Sequence, residues 1–307
     1  MRWNTETILE PPHPARKGAL RVSEIALLVA LAALTAIAFA FPERVSGMVR
    51  LSLVTVAGLF AVSALALGEN QGGWRFWARE LLPVPVLPYI FMILGQIIPL
   101  VNPRNFDRVL LKIDTAILGP ETQAALYSLP LPGWITDILT VAYSTFYFLP
   151  VALLLVLAAR RDPFLRQVVA GVMMTFLVSY AGYFFVPAYG PRTTVAAQRY
   201  QNLPAGLVGD RVRDKLDQWE KTKTDAFPSG HTMITLAVLY CARRRYMPLY
   251  NTLLPLGCLL ICATVLLTYH YVIDVLVAVP LTAASLLLGA LLAGRVPKAA
   301  TGQARAA

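Results

Sequence analysis

Residues 271–293 read YVIDVLVAVPLTAASLLLGALLA, and Asp274 is the only charged side chain among them. A helix needs about 20 mainly apolar residues to cross the roughly 30 Å hydrocarbon core of a bilayer, so this stretch predicts a transmembrane helix. Seven more apolar stretches precede it, at residues 22–41, 51–68, 81–101, 134–158, 167–187, 228–242 and 249–269. The sequence therefore predicts an all-α, polytopic membrane helical bundle of about eight transmembrane helices.

The composition of the 307 residues supports this prediction. Hydrophobic residues make up 57% of the chain and charged residues 14%, whereas a soluble domain carries about 25% charged residues. These values exclude a soluble globular enzyme and a disordered protein. The three cysteines all lie in apolar spans, which excludes a disulfide scaffold. The net charge is +10, but the basic residues lie mostly in short loops between spans, so we expect no nucleic-acid partner.

The distribution of Lys and Arg predicts the orientation of the bundle. With the N-terminus in the cytoplasm, the basic loops at residues 160–166 and 243–245 both fall inside, as the positive-inside rule requires. We expect both termini to be cytoplasmic. We also expect an integral protein of a bacterial plasma membrane, although an organelle membrane has the same topology. Any site at the outer helix ends would then face the periplasm.

Two of the predicted outer loops are long. In residues 102–133, Phe106, Leu110, Ile113 and Ile117 form an apolar stripe at helical spacing, and residues 188–227 contain a similar stripe. We expect two amphipathic helices that lie on the membrane surface. Most of the charges in these loops are expected to have no catalytic role.

Two of the three histidines lie at matching depths in this topology. His231 lies at the outer start of the sixth span, and His270 lies at the turn between the last two spans. His13, in a proline-rich tail, is assigned no role. Ionisable residues at the ends of membrane spans are candidates for function.

His270 and Asp274 are four residues apart, which places them on one helix face. A carboxylate bonded to one imidazole nitrogen fixes the tautomer and leaves the other nitrogen free to act as a base or nucleophile. The alternative is a His–Asp pair that only holds two helices together.

The segment Pro228-Ser229-Gly230-His231 has the features of a helix start. Proline fits the first turn, Ser229 can cap it, and Gly230 lets a substrate approach the backbone. The free N–H groups of a helix N-terminus attract phosphate. His231 would then be placed to protonate a departing oxygen. The alternative is a simple capped transmembrane helix.

A third segment, Tyr189-Gly190-Pro191-Arg192, follows the fifth span. An Arg side chain can bind phosphate oxygens through two parallel hydrogen bonds. The alternative is an interfacial Arg whose charge reaches water. Lys223 precedes His231 in sequence and can add positive charge, or it belongs to a solvated helix face.

Together these segments resemble the type 2 phosphatidic acid phosphatase superfamily, whose signatures are Lys-x6-Arg-Pro, Pro-Ser-Gly-His and Ser-Arg-x5-His-x3-Asp. The second signature is intact, and the third is present in its His-x3-Asp half. Phe185 replaces the Lys of the first signature, and Ala263-Thr264 replace the Ser-Arg of the third. The sequence His270-Tyr271-x-x-Asp274 is similar to the branch of inositol phosphorylceramide synthase and other inositolphosphotransferases.

The resemblance implies a six-helix phosphatase-type catalytic core over residues 80–293. Residues 22–79 would be two additional transmembrane helices, and residues 1–21 and 294–307 would be cytoplasmic tails.

The resemblance also implies the roles of the site residues. His270 would form a phosphohistidine, Asp274 would orient it, and His231 would act as acid and then as base. Arg192 and the backbone N–H groups near Ser229 and Gly230 would hold the phosphoryl oxygens. Three further side chains are secondary site candidates: Lys223, Tyr189 and Tyr271. No metal or cofactor is expected.

The predicted function is a lipid phosphotransferase that moves a phosphoryl head group from a phospholipid donor to a lipid hydroxyl, as in sphingolipid synthesis. The loss of two cationic residues favours a singly charged diester as donor. One alternative is a lipid phosphate phosphatase with water as acceptor, and a remote one is a lipid or anion transporter. Membrane lipids are the expected partners, and the sequence does not encode an oligomeric state.

Overall fold

The computed structural model describes residues 20–69, 72–204, 206–219 and 222–294. The predicted tails, apart from Leu20, Arg21 and Gly294, lie outside the described residues, as does His13.

The described part of the chain is helical. Its α-helices, in chain order, are α1 (Val22–Ala40), α2 (Gly47–Leu67), α3 (Gly73–Leu81), α4 (Val86–Val101), α5 (Asp107–Leu118), α6 (Pro120–Ser128), α7 (Gly133–Ser144), α8 (Leu149–Ala159), α9 (Leu165–Phe185), α10 (Ala197–Gln201), α11 (Gly209–Trp219), α12 (Gly230–Arg245), α13 (Met247–Leu266) and α14 (Val272–Gly294). Short 3₁₀ turns lie at Thr145–Tyr147 and Pro191–Thr193. Within the described ranges the extended pairing is limited to an isolated bridge between Ala188 and Asp225. The predicted all-α class is confirmed.

Six helical segments in the described chain are long and apolar enough to cross a membrane: α1, α2, α3 with α4, α9, α13 and α14. Helices α7 and α8 form a seventh span if they are counted as one span bent by 50°. The predicted span at 228–242 corresponds to α12, which has only 16 residues. The membrane bundle is therefore confirmed, and eight spans are reached when the bent pair and the short α12 are included.

Prolines explain the two interrupted spans. Pro83 and Pro85 lie between the end of α3 and the start of α4. Pro150 lies in the first turn of α8, directly after the bend that separates it from α7. Proline has no N–H to donate and its ring collides with the preceding turn, so a continuous helix is interrupted there.

Helix α9 is the central packing element and contacts α1, α4, α8, α12 and α14. It crosses α14 closely, because a Cβ atom on Gly289 would lie 2.5 Å from the Cα atom of Gly171. Glycines let two helix backbones approach in this way, which is a common packing device in membranes. Nearer the outer end of α9, Gly182 packs against Pro228 just before α12, and the Ser229 N–H donates to the Asp274 carbonyl oxygen of α14. The outer ends of these three helices therefore meet.

Ion pairs gather at one face of the bundle. Arg21 pairs with Glu69 at 3.1 Å, Arg166 pairs with the same Glu69, and Arg245 lies 2.9 Å from Asp162. These contacts bring the start of α1, the end of α2, the start of α9 and the end of α12 to one face. The opposite ends of these helices, with the loops that carry the histidines, form the other face. The helices therefore run in alternating directions between the two faces, as the topology predicted from the sequence requires.

The first outer loop does form a helix, α5, and its inward face carries two carboxylates beside Leu110 of the predicted stripe. Asp107 and Asp114 are 2% and 0% exposed, whereas Ile113 and Ile117 from the predicted apolar stripe are exposed. The carboxylates are turned inward because backbone N–H groups of other loops are available to them there. These two charges therefore bind the backbone of other loops, while the position of α5 on the membrane surface stays a prediction.

Candidate active site

The structure brings the two predicted catalytic histidines into contact. His270 lies in the turn between α13 and α14, and His231 lies at the first turn of α12. His270 Nε2 and His231 Nδ1 are 3.4 Å apart, and both residues are buried. A proton can therefore pass from one ring to the other across a single contact.

The nearest partner of His270 is a backbone carbonyl. Its Nδ1 lies 2.7 Å from the carbonyl oxygen of Ala226, while Asp274 Oδ2 is 3.5 Å away. A carbonyl oxygen only accepts, so we assign the proton of the neutral ring to Nδ1. Nε2 is then the unprotonated nitrogen, and it faces His231.

Ala226 therefore lies closer to the His270 ring than Asp274 does, and the orienting role of Asp274 stays a prediction. Asp274 Oδ2 accepts a hydrogen bond from the Tyr271 N–H at 2.8 Å, which folds the loop around His270. The carboxylate is fully buried and remains beside the imidazole. It positions the loop directly and can support positive charge on the ring.

Burial lowers the pKa of His270 to about 4. The nearby Asp225 carboxylate and the Ala226 carbonyl raise this pKa, and the Arg192 cation lowers it further. Desolvation is the largest effect because an imidazolium loses its hydration inside the protein. The ring is therefore neutral near pH 7, as a nucleophile must be.

Aromatic rings fix the position of His231. Tyr143 stacks on its ring with centroids 4.3 Å apart, and the Phe146 centroid lies at 4.2 Å. The Tyr143 hydroxyl is 3.5 Å from His231 Nδ1. The other nitrogen, Nε2, is buried and has no hydrogen-bond partner among the described residues.

The helix start predicted to bind phosphate is present, but the hydroxyl and the N–H of Ser229 already have hydrogen-bond partners in the protein. Ser229 Oγ accepts the Thr232 N–H at 3.2 Å and caps α12. The Ser229 N–H donates to the Asp274 carbonyl at 3.2 Å, so it points to α14. Gly230 is required by packing, because a Cβ atom there would lie 1.9 Å from the Tyr183 hydroxyl. Phosphate binding at these two residues stays a prediction.

Arg192 lies beside the loop that carries His270. Its guanidinium carbon is 4.6 Å from the centroid of the Tyr269 ring, and its backbone N–H donates to Thr268 at 2.8 Å. Gly190 makes this approach possible: its φ is +84°, and a Cβ atom would lie 2.3 Å from the Tyr269 carbonyl oxygen. The buried cation is therefore held on the same side as the histidines.

Asp107 on α5 accepts hydrogen bonds from both the segment before Arg192 and the segment after His270. Its Oδ2 accepts from the Tyr189 N–H at 3.0 Å, and its Oδ1 accepts from the Gly190 N–H at 2.8 Å. The Tyr271 hydroxyl donates to Oδ1 at 3.1 Å. Tyr189 and Tyr271, predicted as secondary site residues, are thus placed in the scaffold of the site.

Asp114, two helical turns further along α5, holds the start of α14. Its two carboxylate oxygens accept the backbone N–H groups of Val272 and Ile273, each at 2.8 Å. These N–H groups have no partner inside the helix, and a carboxylate suits the positive end of the helix dipole. This role is not predicted from the sequence, although the seven-residue spacing of Asp107 and Asp114 places them on one helix face.

Asp225 is a second missed residue. It is buried, and burial raises its pKa while the charges of Arg192, His270 and Lys223 lower it. Arg192, His270 and Lys223 are therefore each close enough to Asp225 to interact with it, and a role of Lys223 at the histidines stays a prediction. The only indication in the sequence that Asp225 belongs to the site is its position, three residues before the Pro228–His231 segment. Among the described residues, no group of three or more His, Cys, Asp or Glu side chains could hold a metal ion.

These residues lie within a match to a known family. The sequence profile of the PAP2 superfamily matches residues 108–288, more than half of the chain. The chain belongs to the PAP2 superfamily. The matched range contains Arg192, the segment Pro228–His231 and the pair His270 and Asp274, so the superfamily resemblance seen in the sequence is confirmed.

A PA-phosphatase related-family protein of Dictyostelium discoideum is 29% identical to this chain over 132 residues. The aligned part covers 42% of this chain and 24% of that protein, so the match spans about a quarter of the relative's length. No solved structure matches the chain. The PAP2 membership and this relative support a phosphatase-type enzyme in a membrane.

Proposed function

We propose that this PAP2 protein is a lipid phosphotransferase that works through a phosphohistidine. It would move a phosphoryl head group from a phospholipid to the hydroxyl of a second lipid. The observation that carries the proposal is the contact between His270 Nε2 and His231 Nδ1, 3.4 Å apart and buried beside Arg192.

The first half-reaction transfers the phosphoryl group to His270. Its Nε2 lone pair attacks phosphorus and forms a P–N bond, while the P–O bond to the lipid alcohol breaks. His231, in its protonated form, gives its proton to the departing oxygen. The two rings must separate to admit the group, because in the structure their nitrogens contact each other directly.

The second half-reaction reverses these roles. His231 accepts the proton of an incoming hydroxyl as its oxygen attacks phosphorus and the P–N bond breaks. Arg192 is placed to balance the charge that develops on the phosphoryl oxygens. Asp274 and Ala226 keep the His270 ring in position through both steps.

A phosphodiester donor suits the charge of this site. Phe185 and Ala263-Thr264 stand where the superfamily signatures carry Lys and Ser-Arg. With fewer cations, a singly charged diester is balanced better than a doubly charged monoester. We therefore propose an activity like that of inositol phosphorylceramide synthase. The positive-inside rule supports cytoplasmic termini and an active site at the outer face of the membrane.

Hydrolysis with water as acceptor is the second candidate, and the name of the Dictyostelium relative favours it. The same residues would carry both reactions. The two activities differ only in which oxygen reaches the phosphohistidine.

Analysis of lipid products distinguishes these activities. Wild type and His270→Ala, purified in detergent, receive head-group-labelled phosphatidylinositol with and without ceramide or diacylglycerol. Phosphatidic acid is tested in parallel. We expect label to move to the acceptor lipid with wild type only, at a level that depends on the acceptor.

Release of inorganic phosphate from phosphatidic acid without an acceptor would instead establish the phosphatase. Equal product from wild type and His270→Ala would refute the phosphohistidine mechanism.

A further inference from the structure

A cavity of about 260 Å³ runs from the candidate active site into the membrane bundle. Its walls come from α4, α8 and α9. His231, Gly230 and Asp225 line it at the active-site end. The cavity therefore joins the reacting groups to the apolar interior.

The cavity is long compared with one leaflet of a bilayer. Both Val168 and Tyr183 of α9 line it, and these residues are fifteen positions apart. At about 1.5 Å per residue, this separation spans about 22 Å. Half of the hydrocarbon core of a bilayer is only about 15 Å. An extended hydrocarbon chain matches this shape.

The polarity of the cavity changes along its length. Its deep part is lined by aliphatic side chains, including Val84, Leu154 and Val168. The charged and titratable groups Asp225 and His231 lie at the other end. A ligand that fits this lining has an apolar chain and a single polar end.

The polar end of such a ligand meets the acid–base histidine rather than the nucleophile. His231 lines the cavity, whereas His270 does not. His231 Nε2 is buried without a hydrogen-bond partner among the described residues, although Nδ1 contacts His270. A buried polar atom without a partner is costly, and a hydroxyl at the cavity end would satisfy it.

We propose that this cavity holds a hydrocarbon chain of the lipid alcohol, with the alcohol oxygen at His231 Nε2. The inference rests on the proposed function, in which the departing and the incoming alcohol both exchange a proton with His231. The phosphoryl group lies on the other side of that oxygen, toward His270 and Arg192. The cavity thus selects the alcohol by its chain, and the head group is recognised elsewhere.

Blocking the deep end tests this assignment. Leu154 lines the cavity, whereas its neighbour Leu155 does not and is 40% exposed. We expect Leu154→Trp to slow transfer to dioleoylglycerol about tenfold and to leave transfer to dioctanoylglycerol unchanged, because only the longer chain reaches the blocked part. Leu155→Trp, the matched control, is expected to affect neither. Val168→Phe blocks the same end from α9 if Leu154→Trp does not fold.

A second readout does not need catalysis. Diacylglycerol with a photoreactive diazirine near the end of one chain is irradiated with wild-type protein, and the labelled peptides are mapped by mass spectrometry. Labelling at Leu154 or Val168 supports the chain site even if no transfer is found, in which case only the proposed function fails. Two results would overturn the inference. One is active wild-type protein in which the label is confined to exposed positions such as Leu155. The other is a Leu154→Trp variant that loses transfer to both acceptors equally.

Discussion

At the scale of single residues, the Ala226 carbonyl determines which nitrogen of His270 keeps a free lone pair. An acceptor 2.7 Å from Nδ1 keeps the proton on that nitrogen and leaves Nε2 with its lone pair toward His231. In many catalytic sites a carboxylate takes this role. Here Asp274 is further away at 3.5 Å, so the ring is held chiefly by a neutral group.

This arrangement predicts an acidic titration for His270, since burial lowers its pKa to about 4. The side chain stays neutral as pH falls from 7 to 5 and gains a proton only near pH 4. An unfolded chain would protonate it near pH 6.5, so its contribution to folded-state stability is full above that pH and is lost as pH falls toward 4.

Imidazole NMR of ¹³C-histidine-labelled protein in detergent measures this pKa directly. The chain has only three histidines, and His270→Gln identifies the signal. We expect the His270 signal to titrate with a midpoint well below 6.5. A midpoint at or above 6.5 would mean that the ring is hydrated or paired with a stronger anion.

At the scale of secondary structure elements, α5 holds in place the segments that carry Arg192 and His270. Its two buried carboxylates bind backbone N–H groups more than 80 residues away in sequence: Asp107 holds the Arg192 segment and Asp114 holds the start of α14. Because α14 begins at Val272, two residues after His270, the position of the His270 ring depends on α5.

We predict that Asp114→Asn lowers kcat about tenfold and leaves KM nearly unchanged. Val272 and Ile273 donate to different carboxylate oxygens, and Asn replaces one of these oxygens with an NH₂ donor, so one N–H loses its acceptor. A hydrogen bond to a charged group contributes about 1.5–3 kcal/mol. Exposed Glu121, on the adjacent helix α6, provides the control variant Glu121→Gln. Kinetics of both variants on the same lipid donor measure the effect. An Asp114→Asn enzyme with wild-type kcat would show that α5 has no part in positioning.

The helices were predictable from the sequence because a membrane span is a local property of about 20 consecutive residues. His231, His270 and Asp274 were predictable because each lies in a short motif at the end of a span. The roles of Asp107, Asp114 and Ala226 were not predictable, since they arise from contacts between distant segments. A periodic apolar stripe predicts that α5 is a helix, but not that its carboxylates would find buried N–H partners.

At the scale of the whole molecule, two polar layers bound the bundle. The histidines and α5 form one layer. The other is an ionic network in which Arg79 contacts Glu24 through two nitrogens, each at 2.9 Å, and Glu69 at 3.4 Å. Arg21 and Arg166 also pair with Glu69. This network joins α1 and α2 to α3 and α9, so it connects the two additional N-terminal helices to the predicted catalytic core.

Breaking this network should destabilise the fold without changing the chemistry. Arg79 and Glu24 are each 1% exposed, and removing one partner of a buried ion pair costs about 3–5 kcal/mol. We therefore expect Arg79→Ala to melt well below wild type in detergent, while Arg75→Ala, at an exposed position of the same helix, melts as wild type does. The double variant Glu24→Leu with Arg79→Leu should melt above Arg79→Ala, because no unpaired Glu24 charge remains buried. Equal melting of Arg79→Ala and Arg75→Ala would show that Arg79 does not help to hold the N-terminal helices to the core.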